Sequence, residues 1–194
     1  IVENNINKKQ KENENYIIAE INIKEEDLFK RIRIINSFEE YIRNYNDDNI
    51  EEKDYHKYKN EREIIKKCII KINNNKINFN YFHKFKEKGK YIIEYIFNKN
   101  LTKTDFLFYG CELLTKINLS NFNSKNIINM DSMFYGCELL TNINLLNINT
   151  QKVTNMNSMF SYCVSLTKIN ISNFNTNNVI NMSCMFYGCK SLKY

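Results

Sequence analysis

The side chains of this 194-residue chain best suited to metal, redox or nucleophilic chemistry are six cysteines and two histidines. Four thiols, Cys111, Cys137, Cys163 and Cys189, stand at equal intervals of 26 residues. Metal sites usually gather four ligands through closely spaced pairs such as C-x-x-C. A spacing of 26 instead sets ligands in a line, and no histidine stands beside this one. Disulfides between neighbours in the line would need Cβ vectors that converge, and parallel ones do not. The spacing predicts a structural column of buried, reduced thiols, with no metal and no cofactor. Cys184 falls where other repeats carry Ser132 and Ser158, and Cys68 lies in an apolar run, so both are expected to be unpaired. His56 sits in a charged stretch and His83 among aromatic residues, neither with a partner suited to general acid–base work. With no phosphate-cradling glycine loop and no G-x-S-x-G nucleophile motif, no catalytic residue is assigned and an enzyme is not expected.

The thiol spacing points to the elements that must position these residues. Frames of 26 beginning at Tyr91, Ile117, Ile143 and Ile169 align many more columns: Leu101/Ile127/Val153/Val179, Leu107/Met133/Met159/Met185, Phe108/Phe134/Phe160/Phe186 and Leu114/Leu140/Leu166/Leu192. Thr104 breaks the column continued by Met130, Met156 and Met182. Within a frame two periods alternate. Met130, Met133, Phe134 and Cys137 fall at i, i+3, i+4 and i+7, the apolar stripe of a short helix, which Asn129 or Asp131 would cap. Ile143 and Leu145 alternate with polar neighbours as in a strand with one buried face. One such unit buries too little apolar surface to offset the entropy of ordering its backbone, so the units must stack. This predicts an α/β solenoid of short parallel strands and short helices over 101–194, with a degenerate first repeat from about residue 91. Asn columns at 121/147/173, 123/149/175 and 129/155/181 suggest a ladder that satisfies the turns.

The residues that alternate with the buried strand positions must share one surface. Lys116, Asn118, Ser120, Asn142, Asn144, Leu146, Lys168, Asn170 and Ser172 are therefore the candidate binding face. Leu146 interrupts an otherwise polar surface where the neighbouring repeats carry Ser120 and Ser172.

The stretches NMDSMFYGCELLTNINLLNINTQKVT and NMNSMFSYCVSLTKINISNFNTNNVI resemble the repeats of the BspA-like leucine-rich-repeat surface proteins. The resemblance covers about residues 101–194. It implies a right-handed leucine-rich-repeat solenoid, a surface or secreted interaction protein often associated with cell adhesion, and no catalytic residues.

Residues 1–15 are polar and expected to form a flexible leader. Residues 16–100 suggest a small β-rich capping region. YIIAEINI (16–23) and KRIRII (30–35) read as strands, and 45–61 as a charged loop. EIIKKCIIKI, KINFNYFHKF and KYIIEYIF would form a three-stranded meander, covering an edge otherwise open to pairing.

Basic residues number 28 and acidic 22, with the signs interleaved, which does not fit a nucleic-acid surface. Residues 1–100 hold 21 basic and 18 acidic side chains and residues 101–194 only 7 and 4, marking a boundary near residue 100. No apolar run reaches the ~20 residues of a membrane-spanning helix, so membrane insertion is not expected. The N-terminus lacks the apolar core of a signal peptide. Because residue 1 is not Met, a fragment or processed form is expected, and because Tyr194 closes a frame, either the protein continues past it or the final helix serves as a makeshift cap. The expected function is a non-enzymatic interaction or adhesion scaffold whose strand face meets a protein or glycan surface. The alternative is a structural spacer or assembly module, with activity in the N-terminal β-region or in sequence outside this stretch.

Overall fold

The structure, a computed structural model, describes residues 15–45 and 58–193. Its main element is a six-stranded mixed sheet in the order β4-β3-β6-β1-β7-β8. The strands are β1 (Tyr16–Ile23), β3 (Cys68–Ile72), β4 (Asn75–Ile77), β6 (Gly89–Phe97), β7 (Leu114–Asn118) and β8 (Asn142–Asn144). Only β7 and β8 pair in parallel. A separate antiparallel ribbon joins β2 (Ile32–Arg33) to β5 (Phe82–His83). Among the described residues α-helices run over α1 (Phe38–Tyr45) and α2 (Glu61–Lys67), both in the N-terminal half.

This architecture overturns the expected leucine-rich-repeat solenoid of short parallel strands and short helices. No helix falls within residues 101–193, and only the first two strand positions of the repeats, β7 and β8, form strands. The reason lies in the backbone of the apolar stripe. Phe106, Ser132, Ser158 and Cys184 have φ between 51° and 58°, and four residues later Gly110, Gly136, Tyr162 and Gly188 have φ between 58° and 73°. Two left-handed residues per repeat exclude a right-handed helix. What forms instead is a run of tight turns, with Met133 donating to Met130, Tyr135 to Ser132 and Cys137 to Phe134. The amides between these turns point to the next repeat. Met130, Ser132, Phe134 and Gly136 N–H donate to the carbonyls of Asn155, Asn157, Met159 and Ser161, each at 2.9 Å.

The 26-residue register itself is preserved. Parallel bridges run Lys103 to Asn129 to Asn155 to Asn181. Phe108, Phe134, Phe160 and Phe186 stack with centroids 5.5 to 5.6 Å apart and planes within 8°. The apolar columns join the N-terminal strands in one continuous core.

At the junction, β1 pairs antiparallel with β6 on one side and with β7 on the other. The strand of the degenerate first frame, β6, is thus separated from β7 by an inserted strand, although the same two frames bridge directly at Lys103 and Asn129. The expected meander is also rearranged. Residues 61–67 are helical, β3 and β4 form a hairpin, β5 leaves to pair with β2, and β6 pairs with β3. Asn15, expected in the leader, accepts a hydrogen bond from Phe97 N–H at 2.8 Å and holds Asn123 N–H on its side chain. Of the expected charged loop, 46–57 and His56 with it lie outside the described residues.

The helices are fastened to the first repeat by asparagines. Ser37 Oγ caps α1 by accepting from Glu40 N–H, and Glu39 accepts the amides of Asn60 and Glu61 at the start of α2. Asn36 donates to Tyr109 O and Asn60 to Asp105 O, while Asn60 Oδ1 accepts from Phe38 N–H. Helices of eight and seven residues are too short to stand alone, and these contacts supply the missing stability.

Candidate interaction face

Burial alternates along every central strand. Ile17, Ala19, Ile21 and Ile23 of β1, Ile93, Tyr95 and Phe97 of β6, and Leu114 and Ile117 of β7 are buried. The intervening residues share the opposite face. Register then places them in rows. One row runs Lys71, Glu94, Ile18, Asn118, Asn144, and the next Ile92, Glu20, Lys116, Asn142. Ile69, Ile96 and Tyr16 form a third. The outer surface of the repeats is therefore continuous with that of the N-terminal strands, and β1 is the link.

Charge on this face centres on Glu20. Lys90 Nζ lies 2.6 Å and Lys116 Nζ 3.2 Å from its two carboxylate oxygens. Partial burial pulls the Glu20 carboxyl upward, but the two ammonium groups bonded to it together outweigh burial and hold it below the ordinary carboxylate value. Around this cluster Ile18, Ile92 and Ile96 remain half-buried and Leu146 is 69% exposed.

The structure brings together Lys116 with Asn142 and Asn118 with Asn144 as cross-strand partners. Ser120 and Leu146 stand two residues past the ends of the strands. Lys168, Asn170 and Ser172 are exposed but lie outside any strand, so they do not extend the sheet. The Asn column has a structural duty as well. Asn118, Asn144 and Asn170 Oδ1 accept from the N–H groups of Ser120, Leu146 and Ser172 at 2.9 to 3.0 Å, closing the turn after each strand position.

The other Asn columns do the same. Asn123, Asn149 and Asn175 accept from the amide two residues on, as do Asn129, Asn155 and Asn181. Asn147 and Asn173 donate to carbonyls of the preceding repeat. The expected ladder is thus side chain to backbone, and among the described residues these columns make no Asn-to-Asn side-chain bond.

Cys111, Cys137 and Cys163 are buried and Cys189 half-buried, all as free thiols. Cys137, Cys163 and Cys189 Sγ donate to the carbonyls of Phe108, Phe134 and Phe160 at 3.0 to 3.2 Å. Burial pushes the Cys163 thiol up to about 12 and Cys137 well above its ordinary value, so neither is a ready nucleophile. Cys68 is buried and also pushed up to about 12, whereas Cys184 is exposed.

Sequence reasoning did not find the contributions of Ile18, Glu20, Ile92 and Ile96 to the face. Their strands were legible as alternating runs, but the insertion of β1 between β6 and β7 carries no local signal. Asp105 was also missed. It occupies the frame position of Asp131 and Asn157, yet it is fully buried, and neither of its carboxyl oxygens has a hydrogen-bond partner among the described residues. Burial raises its carboxyl well above the ordinary value.

Residues 102–194 match a family model described as "Mycoplasma protein of unknown function, DUF285". The match covers the repeats and excludes β1 to β6. No curated protein matches the chain, and no solved structure does. Among the described residues no helix is long and apolar enough to cross a membrane.

Proposed function

We propose that the chain is a non-enzymatic recognition scaffold whose outer sheet face meets a protein or glycan surface. The observation that carries this reading is the continuity of that face across β3, β6, β1, β7 and β8. It combines half-buried isoleucines, the Lys90–Glu20–Lys116 cluster and the carboxamides of Asn142 and Asn144. Apolar side chains interspersed with charged and hydrogen-bonding ones make up an ordinary non-obligate protein interface, which as a whole is about as apolar as the rest of a protein surface. The repeats' resemblance to BspA-like surface proteins supports adhesion as the setting. The burial of the thiol column fits a packing role for the residues whose chemistry is most reactive.

The test is a panel of immobilised glycans and cell-surface proteins, probed with the wild-type chain and with an Asn142→Arg/Leu146→Glu variant. Both side chains are exposed, so the variant should melt within a few degrees of wild type, as surface changes usually do. A ligand bound by the wild type and lost by the variant supports the face. A ligand bound equally by both places recognition elsewhere.

A further inference from the structure

The β2–β5 ribbon carries a second surface, distinct from the sheet face. A cavity of 470 Å³ opens beside it, lined by Arg31, Ile77, Asn78, Asn80, Phe82, His83 and Lys84, with no carboxylate among them. Its volume lies within the usual range of small-ligand sites. The guanidinium carbons of Arg31 and Arg33 each lie 4.3 Å from the centroid of the Phe82 ring, so one ring holds two like charges. Arg33 is partly compensated by Glu40 at 3.9 Å, but its Nη1 is buried without a hydrogen-bond acceptor among the described residues. Arg31 and Lys84 are exposed and form no ion pair with any described residue. Asn80 Oδ1 already accepts from Phe82 N–H at 3.0 Å. That bond fixes the carboxamide and leaves its amide hydrogens as the polar group it can offer.

We infer that this cavity binds a small phosphate ester, its oxyanion held by Arg31, Lys84 and the Asn78 and Asn80 amides, its organic part against Phe82 and Ile77. Two features favour a tetrahedral oxyanion. The donors come from an arginine fork, an ammonium and two carboxamides, a mixture that matches an anion with several lone pairs in different directions. The paired cations on Phe82 also repel each other, and a bound anion relieves that repulsion. The apolar wall favours an ester over the bare ion. The proposal is independent of the outer sheet face, because the lining residues belong to β4, β5 and the segments flanking β2 and β5.

Isothermal titration with phenyl phosphate and with inorganic phosphate tests it, using the wild-type chain, Arg31→Ala, Lys84→Ala and a distant control, Lys152→Ala. The expected result is saturable one-to-one binding of phenyl phosphate, tighter than that of inorganic phosphate. Binding should be weakened at least about tenfold by Arg31→Ala or Lys84→Ala, as for loss of a charge-assisted contact, and unchanged by Lys152→Ala. Absence of saturable binding at about 10 mM ligand, far above any specific affinity of interest, overturns the site. So does an equal loss in the control variant, or equal binding of the two phosphates. Binding of single-stranded RNA without binding of phenyl phosphate also overturns it, in favour of an extended electrostatic surface.

Discussion

The two halves of the molecule satisfy their backbones in opposite ways. In the N-terminal half, β1, β3 and β6 form ordinary antiparallel ladders between segments far apart in sequence, such as Tyr16 with Ile96. In the repeats, most of the backbone bonds between units are made at separations of 25 or 26 residues, between corresponding segments of successive units. The first half depends on strands that are regular locally and on a topology that is not. The second depends on irregular local geometry, with two left-handed residues per unit, made regular by repetition. The unit is therefore stable only in a stack, and the stack begins where β1 pairs with β7.

This contrast predicts that the repeats are sensitive to register and the N-terminal sheet is not. Deleting residues 143–168 removes one unit in phase and should leave a cooperative, if less stable, fold. Deleting a half-unit of 13 residues from the same point should abolish the repeat transition in a urea melt while the N-terminal sheet keeps its circular dichroism. Equal tolerance of both deletions would break the comparison.

A smaller effect is expected from Phe134→Ala, which empties a ring position stacked on both sides. It should cost about 3–5 kcal/mol in chemical denaturation, the range for large-to-small core changes of this kind. Smaller again are the turn residues. At Gly136 an added Cβ would approach Gly110 Cα at only 3.8 Å, so space is not limiting. The φ of +68° is. Gly136→Ala should therefore cost on the order of 1 kcal/mol, from conformation alone. Asn144→Ala, which removes the acceptor for Leu146 N–H, should cost about the same. If both were silent in a thermal melt, the turn geometry would not be holding the repeats.

A last effect, of about the same size, has the opposite sign. Asp105 joins the two halves, and burial raises its carboxyl in the folded protein, whereas the unfolded chain ionises it above its ordinary value of 3.8. Above that pH the unfolded state gives up a proton that the folded state keeps, so stability falls as pH rises. Asp105→Asn, which installs the residue found at the equivalent position 157, should stabilise the protein by roughly 1 kcal/mol at neutral pH. The gain should vanish near about pH 3, where both states keep the proton. A gain that persists at low pH would trace to packing and not to charge.

How much was legible follows the same division. In the repeats the sequence shows which residues are buried, because Met130, Met133, Phe134, Cys137 and Leu140 recur in register and all are buried. It does not show their backbone. An i, i+3, i+4, i+7 stripe is shared by a helix and by a run of tight turns whose alternate amides bond outward. The distinguishing sign, a glycine at 110, 136 and 188 inside the supposed helix, is weakened by Tyr162 at the fourth position. In the N-terminal half the reverse holds. YIIAEINI announces β1 by alternation, but nothing local tells that it inserts between β6 and β7. The SFEE stretch from Ser37 carried a cap signal for α1 that a strand-centred reading passes over. Of the candidate face, the four residues on β7 and β8 were legible from alternation, while Glu20 and its isoleucine neighbours depend on long-range pairing.

The most direct test of the central claim, that the repeats are held by bonds between units and not by helices within them, is scalar coupling across hydrogen bonds in labelled protein. The account predicts couplings from Phe134 N to the Met159 carbonyl and from Gly136 N to the Ser161 carbonyl. Couplings from Phe134 N to the Met130 carbonyl and from Gly136 N to the Ser132 carbonyl, four residues back within the same unit, would contradict it.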